Sequence, residues 1–229
     1  MQRVSFLAFF LTCSVQAQLP TRPFVEAAGS ATVSSAPDQA TIDATVGTTG
    51  TSAQDAAAKN ANQVTGLLAA LGKLLGPGAN IQTISYYIYP NYQNTPPYTT
   101  VVGYTANSTV EVTLSDLTQA GAVIDTAVAN GATSLGGINF SLKDPEPQRQ
   151  QALRMATQQA MNHANAMATA SGHTVGNIRS VQEGSIVQVT PIYGPVGGGG
   201  AGGGGGAPTP VQPGTIQVQE TVTVTADLN

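Results

Sequence analysis

The chain has 229 residues, a formal net charge of −4 and charged side chains at only 9% of positions. This acidic balance, with no basic run, gives no electrostatic footprint for nucleic acid or anionic lipid. Cys13 is the single cysteine, which excludes a disulfide framework and thiolate metal sites.

Arg3 opens the chain with a positive charge, Val4–Leu11 is an apolar run too short to span a bilayer, and Val15 and Ala17 are small residues at −3 and −1 of a cut before Gln18. Charge, apolar run and small-residue site together predict a secretory signal peptide over residues 1–17. Cleavage would remove Arg3 and Cys13 and leave 212 residues with 7 basic and 12 acidic side chains. No second long apolar segment follows, so no transmembrane helix is expected after signal removal. With so few charges the surface must be built from Thr, Ser, Gln, Asn and Ala, and an uncharged polar surface is prone to association.

Phe24–Ser34 reads as a first strand, Ala36-Pro37-Asp38 as a turn, and Ala40, Ile42, Ala44 and Val46 alternate with Thr41, Asp43 and Thr45 in a second strand. The two are expected to form a hairpin. Ser52 and Asp55 resemble a capping box opening a helix whose apolar stripe is Ala57, Ala61, Val64, Leu68, Leu71 and Leu75, stopped by Gly76-Pro77-Gly78. Ile81–Tyr89 and Tyr98–Leu114 are strand-like and joined by a Pro- and Asn-rich loop. Ser115 is expected to cap a shorter helix with Leu117, Ile124 and Val128 on one face, closed near Gly131. Ile138, Phe140 and Leu142 mark a short strand.

Pro145 and Pro147 lead into a long helix to Ser171, with Leu153, Ala156, Ala160, Ala164 and Met167 inward; its many alanines would let it lie close against a sheet. Strand-like segments follow at Val175–Val181 and Ile186–Thr190. Gly197–Gly206 holds nine Gly and one Ala, too much backbone entropy to recover in a packed structure, and is expected to be a disordered loop. In Thr215–Leu228, Ile216, Val218, Val222, Val224 and Ala226 alternate with polar residues, so this strand must pair with the body of the protein. The expected fold is α+β, a two-layer arrangement of a mainly antiparallel sheet with three helices on one face, in the order β-β-α-β-β-α-β-α-β-β. Residues 18–229 are expected to form one domain, with the disordered Gly-rich loop at about 195–214.

Side-chain chemistry points away from catalysis. His163 lies mid-helix, and His173 follows Ser171-Gly172 at the helix end, where a cation complements the dipole. Two histidines without a paired carboxylate motif do not suggest a zinc site, and no G-x-S-x-G elbow favours a nucleophilic serine. Asp144 and Glu146 suit turn-and-cap use at the helix entry. The Gly run lacks the Lys-Ser/Thr ending of a phosphate loop. No catalytic, cofactor-binding or metal-binding residue is therefore assigned.

Two features exceed background. Tyr86, Tyr87, Tyr89, Tyr92, Tyr98 and Tyr104 fall within nineteen residues. Tyr86 and Tyr87 must face opposite sides of a strand, so at least one ring points away from the helices. The cluster is a candidate interface, with plain cross-strand packing as the other reading. Glu220 shares a row with Val218 and Val222; either a bulge turns it out or it is an inward charge that blunts an edge strand, both preferred over a ligand role.

Gly29–Ala40 (GSATVSSAPDQA), Ile81–Thr83, Gly103–Val112 (GYTANSTVEV), Asp116–Ala132, Gly137–Leu142, the Ala-rich third helix and Pro213–Val224, taken in order, resemble the SIMPL domain family. The resemblance covers essentially the whole chain after the leader; the Gly-rich insertion departs from it. It implies an α+β fold, export to a periplasmic or secreted location with outer-membrane association open, and large ring-like or channel-like homo-oligomers. It also carries a proposed link to oxidative-stress tolerance and attaches no catalytic residue set or cofactor. The expected role is thus an exported, non-enzymatic, self-assembling envelope component. The alternative is a periplasmic binding module that takes a small molecule or an envelope component on the tyrosine hairpin. Such a module predicts an enclosed, aromatic-lined pocket.

Overall fold

A computed structural model describes residues 22–96, 98–184 and 209–229 and the backbone of 188–192. The predicted leader, Ile186 and Gly197–Gly206 lie outside the described residues. The elements are β1 (Phe24–Ser35), β2 (Gln39–Gly50), α1 (Ala53–Leu75), β3 (Asn80–Tyr92), β4 (Val101–Leu114), a 3-10 turn (Leu117–Gln119), α2 (Ala120–Ala129), β5 (Ser134–Ser141), α3 (Glu146–Ala170), β6 (Val175–Glu183), β7 (Gln188–Ile192) and β8 (Thr215–Leu228).

The class is α+β and every strand pairing is antiparallel, as the alternating patterns predict. The strands are divided between two four-stranded sheets. One runs β3-β4-β2-β5; in the other, β8 lies between β1 and the pair β6 and β7. Three strands rather than two follow α3, because the two segments before the Gly run pair separately with β8.

The expected β1–β2 hairpin does not form. β1 pairs with β8, from Phe24 opposite Asp227 to Ser35 opposite Ile216, whereas β2 pairs with β4 and β5. The Ala36-Pro37-Asp38 segment carries the chain from one sheet to the other instead of reversing it. Asp38 fixes that crossing: its N–H donates to the Ser141 carbonyl (3.2 Å) and its Oδ1 accepts from the Lys143 N–H (2.7 Å). Alternation shows which face a strand buries but not which strand lies beside it.

In the first sheet, Ala40, Ile42, Ala44 and Val46 of β2 and Val110, Val112 and Leu114 of β4 point into a core closed by Leu67 and Leu71 of α1, Val123 and Ala127 of α2, and Phe140. The Ser52 hydroxyl accepts the Asp55 N–H (3.1 Å) at the start of α1, so the predicted cap holds. The buried stripe of α1 is nevertheless Ala56, Asn60, Leu67 and Leu71, one residue away from the expected Ala57 and Ala61. A polar residue occupies its centre, so an apolar pattern alone cannot set the phase. Asp116 caps the 3-10 turn leading into α2, in place of Ser115, and Val128 of α2 is exposed.

In the second sheet, α3 lies on β1 and β8 through Ala152, Ala156, Ala160, Ala164 and Ala168, all buried at four-residue spacing. Met167, expected inward, is exposed. The helix comes so close that a Cβ on Gly29 of β1 would collide with the Ala156 carbonyl and the Ala160 amide. Alanine on one surface and glycine on the other permit that approach.

Candidate functional site

The β3–β4 hairpin carries the tyrosines. Its register places Tyr86 opposite Ser108, Tyr87 opposite Asn107 and Tyr89 opposite Thr105. Ser108 belongs to the row of β4 that faces α1, so Tyr86 lies on the helix side and Tyr87 and Tyr89 on the open side. Tyr87 and Tyr89 stack with ring centroids 6.0 Å apart at an interplanar angle of 19°. Tyr86, Tyr87, Tyr89, Tyr92 and Tyr98 are all exposed, at 44–60%, while Tyr104 is half-buried.

Three aliphatic residues missed in the sequence extend this surface: Ile84, Val101 and Val102 are also exposed. A register shift between Thr83 and Ser85 inserts Ile84 as an extra residue; such a bulge re-aims a side chain and is invisible to strict alternation. Tyr98, at φ 57°, turns the chain back, its N–H donating to the Thr95 carbonyl (3.0 Å), and Gln93 N–H to Thr100 O (3.0 Å) closes the loop. Eight of the fifteen large apolar side chains exposed among the described residues thus sit on this one hairpin. β3 itself contains no charged residue.

Other sequence-derived candidates are placed apart from it. His163 Nδ1 lies 2.8 Å from the Ala28 carbonyl, a contact with the β1 backbone rather than with a carboxylate. His173 follows the end of α3, its N–H donating to Ala168 O (2.9 Å). Asp144 Oδ1 accepts the Glu146 N–H (3.0 Å), the expected cap use. Glu220 points inward and is fully buried; the β1–β8 register passes through Ala31 opposite Glu220 without a bulge. β8 is an inner strand, so Glu220 blunts no edge. It pairs instead with Arg149 of α3.

Surface depressions of about 350 Å³ and 480 Å³ lie elsewhere. One of 350 Å³ at an end of the first sheet is bordered by Gln39, Pro77, Asn80, Asp116 and Lys143. A second of 350 Å³ is bordered by Gln159 and His163, and one of 480 Å³ by Leu153 and Met161. None of the three contains a tyrosine. Among the described residues no group of three or more His, Cys, Asp or Glu is placed to hold a metal ion, and no helix is long and apolar enough to cross a membrane.

The family model for SIMPL, described as a protein of unknown function (DUF541), matches residues 25–226, from the start of β1 almost to the end of β8. The chain belongs to the SIMPL family. Both sheets and all three helices therefore fall within the SIMPL match. The chain is 30% identical to the uncharacterized protein YggE of Edwardsiella ictaluri over 177 residues, covering 75% of this chain and 73% of that protein. It is 27% identical to the 26 kDa periplasmic immunogenic protein of Brucella melitensis over 174 residues, covering 72% and 69%. Against the uncharacterized protein YggE of Escherichia coli K12 the identity is 24% over 165 residues, covering 72% and 67%.

Proposed function

We propose that this SIMPL protein is an exported, non-enzymatic component of the bacterial envelope that assembles with copies of itself through the β3–β4 hairpin. The exposed apolar surface of that hairpin carries the reading. Large contiguous apolar patches on a folded surface mark interaction sites, and tyrosine suits them because it offers apolar area with a polar tip. The low charge of the chain removes the long-range repulsion that keeps many proteins apart.

Export is supported by the charge, apolar run and small-residue pattern of residues 1–17 and by the word "periplasmic" in the name of the Brucella relative. N-terminal sequencing of the exported protein should read from Gln18. The remaining chain would form one domain interrupted by the Gly-rich loop. A link to stress tolerance rests on the family resemblance alone.

Light scattering on the purified protein across micromolar concentrations tests the assembly. The expected result is a multimer whose mass falls when Tyr87→Ser and Tyr89→Ser are combined, with the far-ultraviolet dichroism unchanged. A strict monomer would overturn the reading.

A further inference from the structure

The two sheets leave edges of very different character. On β1, α3 satisfies outward backbone groups: the Ser30 N–H donates to Gln159 Oε1 (2.8 Å), and His163 Nδ1 lies 2.8 Å from Ala28 O. On the far side of the same sheet the edge is broken into two separate strands, β6 and β7, and β6 carries Arg179 and Glu183. β5 is only eight residues long, with a register shift against β2 and Gly137 at φ 94°. Covering helices, charges, short strands and irregularities are the devices that keep strand edges from pairing with other chains.

β3 is treated differently. It is thirteen residues long, free of charge and, among the described residues, hydrogen-bonded on one side only, to β4. Its pairing with β4 shifts at Ile84 and again between Asn91 and Tyr92, and Pro90 has no N–H to offer; between Ile84 and Pro90, Ser85–Tyr89 runs in regular register with β4. Those five residues are as long as an ordinary strand. Their second edge has no strand beside it among the described residues and is flanked by exposed tyrosines on both faces.

We infer that the partner of this edge is β3 of a second copy, lying antiparallel across a two-fold axis within Ser85–Tyr89, so that two four-stranded sheets become one. This rests on the assembly reading above and names its partner and geometry. The uncharged sequence of β3 bears on the occupant. An identical strand brings no charge against an edge that has none to answer it, whereas a charged peptide would find no counter-ion on β3. The two-fold also sets the outward Tyr87 and Tyr89 beside the same row of the partner, the aromatic cross-strand pairing that stabilises sheets.

Single spin labels placed by cysteine substitution test this geometry. Full-length protein carrying Cys13→Ser receives Gln82→Cys, Ser85→Cys, Ile88→Cys or Asn91→Cys in turn, which leaves every tyrosine in place, with Thr32→Cys on the covered β1 edge as control. In an antiparallel pair the same site in two copies separates by twice the strand rise per step from the axis, roughly 6–7 Å per residue. The expected result is an inter-copy distance that passes through a minimum within Ser85–Tyr89 and rises on both sides at that slope, with Thr32 giving no comparable short distance. A multimer by light scattering whose distances show no such minimum overturns edge pairing while leaving assembly through the hairpin standing. A monomer overturns both. Hydrogen exchange on unlabelled protein is a second check: dilution should deprotect amides of Ser85–Tyr89 selectively, and unchanged exchange there in a dissociating multimer counts against the pairing.

Discussion

Arg149 of α3 reaches the fully buried Glu220 of β8, with Nε 3.1 Å from Oε1, across 71 residues of sequence. The same guanidinium bonds to Glu183 of β6 and lies 3.7 Å from Glu146. One cation thus ties the start of α3 to two strands of the second sheet. Hydrogen bonds to Glu183 first, and then to Glu220, hold the Arg149 guanidinium above its ordinary pKa. Glu220 Oε2 has no hydrogen-bond partner among the described residues, so the pair leaves part of the carboxylate unanswered.

Removing one partner of a buried ion pair costs more than removing both, because the remaining charge is stranded. Arg149→Met should therefore lower the thermal midpoint, on the order of 10 °C for a domain of this size. The double variant Arg149→Met/Glu220→Met should lie closer to the parent than Arg149→Met alone. Calorimetry on the four proteins of this cycle checks both statements; additive effects would mean that the two side chains do not couple.

The contact between β1 and α3 predicts opposite signs for two glycine substitutions. Gly29→Ala drives a methyl group into the backbone of α3 at Ala156 and Ala160, and should destabilise the protein by about 2–3 kcal/mol. Gly66→Ala, on an exposed position of α1 where an added Cβ meets nothing within 4 Å, should stabilise by about 1 kcal/mol. Urea titrations of both variants measure the difference; similar effects would show that the close approach of α3 is not maintained in solution.

Face was legible in the sequence and partnership was not. Ile216–Ala226 of β8 and Ala40–Val46 of β2 alternate as read, and Ala156, Ala160 and Ala164 of α3 turn inward. The partners of β1 lie at the other end of the chain, and nothing local to Phe24–Ser35 names β8. Parity placed Glu220 inward, but its counter-charge sits on a helix that no pattern connects to it. The tyrosine cluster was visible as a cluster. Ile84, Val101 and Val102 were not: Ile84 is the extra residue of one register shift, and a second shift between Asn91 and Tyr92 passes over Val102, so strict alternation does not predict either.

Asn60 was the least legible position, since an apolar stripe was expected to run past it. It is buried between α1 and the first sheet, donates from Nδ2 to Val46 O (2.8 Å) and Ala106 O (3.2 Å), and accepts from the Ser108 hydroxyl (2.5 Å). Asn60→Leu would complete the apolar stripe yet strand three buried polar groups. At about 1–3 kcal/mol for each stranded group, the three together outweigh what one leucine side chain recovers by burial, roughly 1.5–3 kcal/mol. The expected outcome is net destabilisation of about 2–4 kcal/mol in urea titration. A neutral or stabilised Asn60→Leu would mean that water or backbone adjustment satisfies Val46 and Ala106.

Asp116 gives the chain a pH signature. Its carboxylate accepts from the Thr118 hydroxyl (2.6 Å), from Gln119 Nε2 (3.0 Å) and from the Thr118 N–H (3.1 Å), and these bonds, in that order of effect, hold its pKa below the ordinary value. Asp55 is lowered in the same direction, first by Lys59 (2.9 Å) and then by the Thr51 N–H (3.2 Å). A carboxylate whose folded pKa is depressed binds protons more readily in the unfolded chain. Its stabilisation is complete above the ordinary carboxylate pKa, about 4, and disappears as pH falls from there through the folded value. Asp116→Asn keeps an oxygen acceptor but removes the charge. Its thermal midpoint should therefore fall below the parent's between pH 6 and 8, and the gap should close as the pH is lowered from about 4 to 2. Thermal melts of parent and variant across that range make the test, and a gap independent of pH would show that geometry at the turn, rather than the charge on Asp116, supports the entry to α2.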